Sequence, residues 1–164
     1  MNKDFEIRVA TPADAEGILR AHYSAVHETA KRDYSEAVLA VWSRPVDAQR
    51  IAAHRAKMET DTRIISFVAV DSTTAILGFA ELWPPETLGA VYIAAPAGRR
   101  GVASALVGMV ESKAREIGTR LLRMDSSLTA APFYRKHGFR EISRRAHVLA
   151  GGLKMPCIQM EKVL

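Results

Sequence analysis

Cysteine is nearly absent. Cys157 stands alone in 164 residues, so no intrachain disulfide can form and no thiolate cluster can hold a metal. Cys157 reads as a buried structural thiol, and no metal is expected. Long apolar runs are missing too. No stretch approaches the roughly 18 apolar residues of a membrane-spanning helix, and Asp4 and Glu6 interrupt the amino terminus before any signal-type apolar core. The expectation is a cytoplasmic protein with no membrane partner. Aromatics make up only 7% of the chain, so each one that falls on an inward face carries information. The named phosphate loops are missing: neither G-x-x-x-x-G-K-[ST] nor G-x-G-x-x-G occurs. No helix-turn-helix, zinc or RNP pattern is present, which argues against nucleic acid. Repeats, linkers and low-complexity segments are also lacking.

What remains suffices for one folded unit. With 164 residues and 48% apolar content, the chain can bury a full-sized core, and one domain over 1–164 is expected. The net charge of +5, from 23 Lys and Arg against 18 Asp and Glu, fits nucleic acid, an acidic substrate or a phosphorylated cofactor. Position decides among them. Basic residues mix with acids except at Arg99-Arg100, Arg135-Lys136 and Arg140 to Arg145, and only the first cluster lies where a loop opens into a helix.

That loop organises the chain. Val91 to Ile93 reads as the end of a strand, Gly98-Arg99-Arg100-Gly101 as a turn, and Val102 onward as a helix. Val102, Leu106, Val110, Ala114 and Ile117 recur at helical spacing, Ser104, Glu111, Lys113, Arg115 and Glu116 fall largely on other faces, and Gly118 ends it. No Ser, Thr, Asp or Asn between Gly98 and Gly101 can cap the first turn, so its N–H groups are left for water or a ligand. Two glycines allow close approach, and the helix dipole with Arg99 and Arg100 favours a phosphate. A plain strand-to-helix bend is the alternative.

The remaining elements follow in order. Phe5 to Val9 is a strand, and Thr11-Pro12-Ala13-Asp14 starts a helix whose stripe is Ala15, Ile18, Leu19, His22 and Val26. His22 is there either as a hydrogen-bonded core residue or as a site residue. Ser35 or Asp33 caps a short helix ending before Pro45, and another helix runs from about Asp47 to Met58. Arg63 to Val70 and Ala75 to Leu82 form a hairpin across Asp71-Ser72-Thr73-Thr74; Pro84-Pro85 ends it, and a strand runs from Leu88 to Ile93. Arg120 to Asp125 is a strand parallel to the one at Ala90, because a helix connects them. A short helix at Phe133 to Lys136 is stopped by Gly138, and Arg140 to Ala150 with Lys154 to Lys162 is a terminal hairpin.

The organising loop resembles the acetyl-CoA loop of the GNAT N-acetyltransferase superfamily, written [QR]-x-x-G-x-[GA]. In Gly98-Arg99-Arg100-Gly101-Val102-Ala103 the second glycine and the small residue agree; Gly98 replaces the usual Gln or Arg, and Arg99 offers a cation one position later. Ala130-Ala131-Pro132-Phe133-Tyr134-Arg135-Lys136-His137-Gly138-Phe139 is similar to the family's A-x-x-x-[FY]-x-x-x-G-F. The Tyr-Ser-x-x-x-Leu-x-x-Trp segment from Tyr34 to Trp42 is similar to an uncharacterised GNAT subgroup. Element order agrees over nearly the whole chain.

The resemblance implies an α+β fold, a mixed and mostly antiparallel sheet of about seven strands flanked by about four to five helices. It implies an enzyme moving an acetyl group from acetyl-CoA to a primary amine of a small molecule or peptide, with no metal, and it leaves a homodimer open. The cofactor would lie against Ile93, Gly98, Arg99, Arg100, Gly101, Val102, Ala103, Ser104, Phe133 and Tyr134. A backbone N–H near Ile93 would hold the acetyl carbonyl, and Tyr134 would protonate the departing thiolate. Transfer from a phenol near 10 to a thiolate near 8.5 is uphill by only about 2 kcal/mol, so the role is permitted; packing beside Phe133 and Phe139 is the alternative. For the base, Glu81 comes first, then His22 and Glu86, each Glu being otherwise a solvated surface carboxylate. His22, Tyr34 and Trp42 are candidate acceptor contacts, with core packing as the other reading of the aromatic pair. An acyl-CoA sensor without turnover and a basic nucleic-acid module are the competing functions.

Overall fold

Residues 4–164 are described by a computed structural model; residues 1–3 of the expected domain lie outside the described residues. The strands are β1 (Phe5–Val9), β2 (Ile65–Asp71), β3 (Ile76–Trp83), β4 (Thr87–Ile93), β5 (Leu121–Ser127), β6 (Arg140–Val148) and β7 (Lys154–Val163). The helices are α1 (Ala15–Ser24), α2 (Glu36–Trp42), α3 (Ala48–Thr60), α4 (Val102–Glu116) and α5 (Ala131–Lys136). All strands join one sheet in the order β1-β2-β3-β4-β5-β7-β6. Only β4 and β5 run parallel, as expected for strands joined by a crossover helix. The architecture is the mixed α+β sheet expected, with five α-helices.

Strand alternation sorts the core into two layers. On β2, Phe67 and Ala69 pack with Val102, Leu106, Val110 and Ala114 of α4, while Val68 and Val70 pack with Ile18 and Ala21 of α1. On β4, Ala90 and Tyr92 face the α1 side and Val91 and Ile93 the α4 side. Side chains that start the helices are where the sequence puts them: the Ser35 hydroxyl accepts from Val38 N–H, and Asp47 accepts from Arg50 N–H at 2.8 Å. Asp14 accepts the Thr11 N–H at 2.7 Å and both Arg8 terminal nitrogens at 2.8 Å, pinning β1 to the entry of α1.

The stripe of α4 needs correcting at its end. Ile117 is 43% exposed, because the helix stops at Glu116 and Ile117 is already leaving it. Glu111, expected on an outer face, is 8% exposed. Its carboxylate accepts from Lys162 Nζ at 2.6 Å and lies 3.6 Å from Arg115, so an ion pair carries it inward.

Candidate active site

The sheet opens in the middle. β4 and β5 pair only at Thr87 and Arg123, and beyond that point the strands part. On the other side β4 stays paired with β3: Ala94 N–H donates to Leu77 O at 2.9 Å. Antiparallel strands alternate the direction of their N–H groups, and Ile93 stands opposite Gly78 one residue before Ala94. The Ile93 N–H therefore points away from β3, into the gap. The direction is the one that a donor to a ligand in the gap would need.

Below the gap lies a cavity of about 540 Å³ walled by Val91 to Ile93, Gly98, Arg99, Gly101 to Ser104, Ser127, Thr129, Ala130, Phe133 and Tyr134. Its floor is the start of α4. Gly101 caps that helix at φ 80° with no side-chain acceptor, a conformation that glycine adopts freely. The first ladder bond runs from Ala105 N–H to Gly101 O, so the N–H groups of Val102, Ala103 and Ser104 precede it and remain free for an anion. Arg99 sits at φ 64°, a left-handed conformation costing about 1 kcal/mol or more for a residue with a Cβ. This twist separates the paired arginines. Arg99 lines the cavity, while Arg100 does not and instead exerts its field on Asp71 at the β2–β3 turn. Of the two arginines, Arg99 is the one placed to meet a ligand in this cavity. Ser104 faces the cavity, and its hydroxyl bonds His137 Nε2 at 2.9 Å. Arg32 and Thr29, from the irregular continuation of α1, complete the wall and were not singled out in the sequence.

A second cavity, of about 570 Å³, lies on the α1 and α3 side. The two share one wall: Trp42, Val91, Tyr92, Ser127, Ala130 and Tyr134 line both. Tyr134 is 3% exposed, and burial drives its phenol well above the usual range. Its hydroxyl makes no hydrogen bond to another described residue, leaving it free at the junction. Tyr92 is held by the Trp42 Nε1–H, which donates to its hydroxyl at 3.1 Å, and burial pushes its phenol up to about 12. Phe79 stacks on the Tyr92 ring and His22 meets it edge-on at 4.3 Å.

Glu81 lines the second cavity. Desolvation raises its pKa, and Trp83 Nε1–H donates to Oε2 at 2.8 Å, opposing that rise. Its surroundings are those of a partly desolvated carboxylate rather than of a solvated surface acid. Trp83 holds this position because its ring lies on the backbone of Gly89, where a Cβ would come within 2.2 Å of ring carbon. His22 also lines the cavity; its Nδ1 lies 3.0 Å from the Ser43 hydroxyl, and burial, with Arg50 and two neighbouring histidines, lowers its pKa to about 4. It is neutral at physiological pH.

Two expected contacts stand elsewhere. Tyr34 lines neither cavity; its hydroxyl donates to Pro156 O at 2.7 Å and accepts from Leu128 N–H at 2.8 Å, which makes it a clamp between α2 and the sheet. These contacts agree with the packing reading of Tyr34. Glu86 pairs with Arg123 and lines neither cavity, so it is no base. Trp42 is both things, packed against the Tyr34 cluster and exposed to both cavities. Cys157 is buried, as read, and its thiol also borders the second cavity. No group of side chains among the described residues could hold a metal, and no described helix is long and apolar enough to cross a membrane.

A split between two parallel strands, an uncapped helix below it and a buried phenol at the junction define an acyltransferase scaffold. The comparisons agree. The acetyltransferase (GNAT) domain family matches residues 30–164, and the chain belongs to that family of N-acetyltransferases. It is 26% identical over 142 residues to the uncharacterised N-acetyltransferase YafP of Escherichia coli, covering 87% of this chain and 85% of that one. Among solved structures, a GCN5-related N-acetyltransferase of Rhodopseudomonas palustris matches with TM-score 0.86 at 24% identity, over 97% of this chain and 95% of its own. The PaiA N-acetyltransferase of Thermoplasma acidophilum, in complex with coenzyme A, matches with TM-score 0.75 at 19% identity over the full length of both chains.

Proposed function

We propose that the chain acts as a single acetyltransferase domain that moves an acetyl group from acetyl-CoA to a primary amine. The observation that carries this reading is the shared wall: two cavities meet at Tyr134, beside the β4–β5 gap. One admits a phosphorylated, thioester-bearing cofactor and the other an amine, and the reacting atoms can meet only at the junction. Acetyl-CoA would supply the activated carbonyl and a thiolate leaving group. The chain supplies the rest. Arg99 and the N–H groups opening α4 receive phosphate, and the Ile93 N–H receives the oxyanion, a contact typically worth about 2.7–4 kcal/mol. Glu81 accepts the amine proton, directly or through water. Tyr134 donates its proton to the thiolate as the carbon–sulfur bond breaks. Burial raises the phenol above its reference value, which by itself makes the transfer steeper; the thiolate leaves into the same dry junction and is raised by the same effect.

The test is a melting curve with CoA and an acetylation assay over a broad amine panel. At 100 times its dissociation constant, CoA should add about 2.7 kcal/mol and raise the Tm by about 5–10 °C. A shift with product supports the enzyme. A shift with no product from any amine supports an acyl-CoA sensor, and no shift at millimolar CoA overturns both.

A further inference from the structure

The second cavity has, on one wall, a row of two cations with a neutral histidine between them that none of the chemistry above uses: burial, with Lys57 and Arg50 nearby, lowers the pKa of His54. Arg50, His54 and Lys57 stand at i, i+4 and i+7 of α3, which places them on one face of the helix, and all three line the cavity. A helix packed on a sheet ordinarily puts an apolar stripe there; α3 has no buried residue at all. Carboxylates act on the two cations only beyond ion-pair distance, Asp47 on Arg50 and Glu81 and Asp61 on Lys57. Among the described residues Arg50 forms no ion pair: its Nη1 donates to the carbonyls of Arg44 and Pro45, and its Nε and Nη2 have no partner. Lys57 likewise has no carboxylate within ion-pair distance. His54 Nε2 is buried without any hydrogen-bond partner, an arrangement that is unfavourable unless a ligand or water completes it.

The acids of this cavity are placed differently. Asp125 lies 3.8 Å from Arg145, and Glu81, on β3, is the acid at the inner end. The cavity thus carries a negative group near the reacting junction and, along α3, a row whose two cations, Arg50 and Lys57, form no ion pair. A neutral amine would leave that row unsatisfied, and a polycation would be repelled by it.

We infer that the acceptor is an anionic amine, a compound whose reacting amino group is accompanied by a carboxylate or phosphate that the Arg50–His54–Lys57 face of α3 receives. The inference rests on the acetyltransferase reading for the amine and on α3 alone for the anion, so the two can fail separately. The probes are glutamate, β-alanine and phosphoethanolamine against ethanolamine and putrescine. With acetyl-CoA, the anionic members should be acetylated with kcat/KM at least about tenfold higher than ethanolamine, and putrescine should be poorest. The carboxylate and phosphate arms separate the two anions. Arg50→Met and Lys57→Met should each raise KM for the preferred anionic amine by about tenfold with little change in kcat, and Arg50→Lys should recover most of the loss. CoA-induced melting shifts should stay as in the parent, which shows that the fold and the other cavity are intact. If no probe is turned over, melting in the presence of CoA decides: a further shift with the anionic probes, lost in Arg50→Met, supports the anion subsite even without catalysis. Equal or better use of ethanolamine or putrescine, or no response to any anionic probe by either readout, overturns the inference.

Discussion

Most of the wall of the 540 Å³ cavity comes from two short runs of chain, residues 91–104 and 127–134, whereas the 570 Å³ cavity draws its wall from α1, α2, α3, α5 and five strands. The first is made largely of backbone: free N–H groups, glycines and a strand that has lost one neighbour. The second is made of side chains brought together over long distances in sequence. A backbone site tolerates many side chains but few backbone conformations, and a side-chain site does the reverse. The two cavities should therefore respond to substitution in opposite ways, and the sharpest probes lie where they meet.

The largest effect is expected at the junction. Tyr134→Phe keeps the ring and its packing against Phe133 and Phe139 and removes a hydroxyl that bonds to no other described residue. If that hydroxyl protonates the thiolate, kcat should fall by about 10²–10⁴, some 3–5 kcal/mol, while acetyl-CoA affinity is nearly unchanged. A kcat within about threefold of the parent, measured with a true acceptor, reduces Tyr134 to packing.

The second cavity should be sensitive to acid. His22 is held near pKa 4 against 6.5 in an unfolded chain. The unfolded state takes up the proton first as pH falls, so stability is full above about pH 6.5 and is lost progressively down to about pH 4. Over that window the loss reaches about 3 kcal/mol. His22→Gln should flatten this part of the stability profile in urea titrations. An unchanged slope between pH 6.5 and 4 would mean that His22 is solvated in the folded state.

The difference in construction also explains what could be read in advance. The uncapped, glycine-bearing start of α4 follows from residue types at fixed local spacing and was legible, whereas the parting of β4 from β5 is a matter of strand pairing that local spacing does not carry. Which arginine of Arg99-Arg100 turns inward was not, because it depends on the left-handed conformation of Arg99 itself. Tyr34 and Glu86 are ordinary members of their elements, and their partners Pro156, Leu128 and Arg123 lie 37 residues or more away, a distance that periodicity cannot span. Tyr92 shares the α1 face of β4 with Ala90, but its place at the cavity junction is not legible in the sequence, because its neighbours there come from α1, α2 and β3. The spacing of Arg50, His54 and Lys57 was visible; that their face turns toward a cavity was not. The basic cluster at Arg140 to Arg145, open to a nucleic-acid reading in the sequence, is largely balanced by Glu161 and Asp125.

At the loop, Arg99→Ala and Arg100→Ala form a matched pair. Removing one charge-assisted contact costs about 1.5–3 kcal/mol, so Arg99→Ala should weaken CoA binding by one to two decades. Arg100→Ala should change it by less than about threefold, since that side chain lies outside the cavity and near Asp71. Calorimetric titration of CoA into both variants checks this, and equal losses would show that the loop rearranges when it binds.

The smallest effect belongs to Trp42, and it discriminates best between the two cavities. Its Nε1–H is the hydrogen-bond donor to the Tyr92 hydroxyl at 3.1 Å, and its ring meets those of Tyr34 and Tyr92 at 5.4 and 6.1 Å. Trp42→Phe keeps an aromatic ring and removes that donor, so stability should fall by about 1 kcal/mol. The Tyr92 phenol, relieved of a bond that favours its ionised form, should titrate still higher in ultraviolet absorbance. Because Trp42 borders both cavities, the variant should raise KM for acetyl-CoA and for the amine together by a few fold, whereas Arg99→Ala touches only the cofactor and Lys57→Met only the amine. A change confined to one substrate would show that the wall between the cavities is not shared at Trp42, and that Tyr134 and the strands alone divide them.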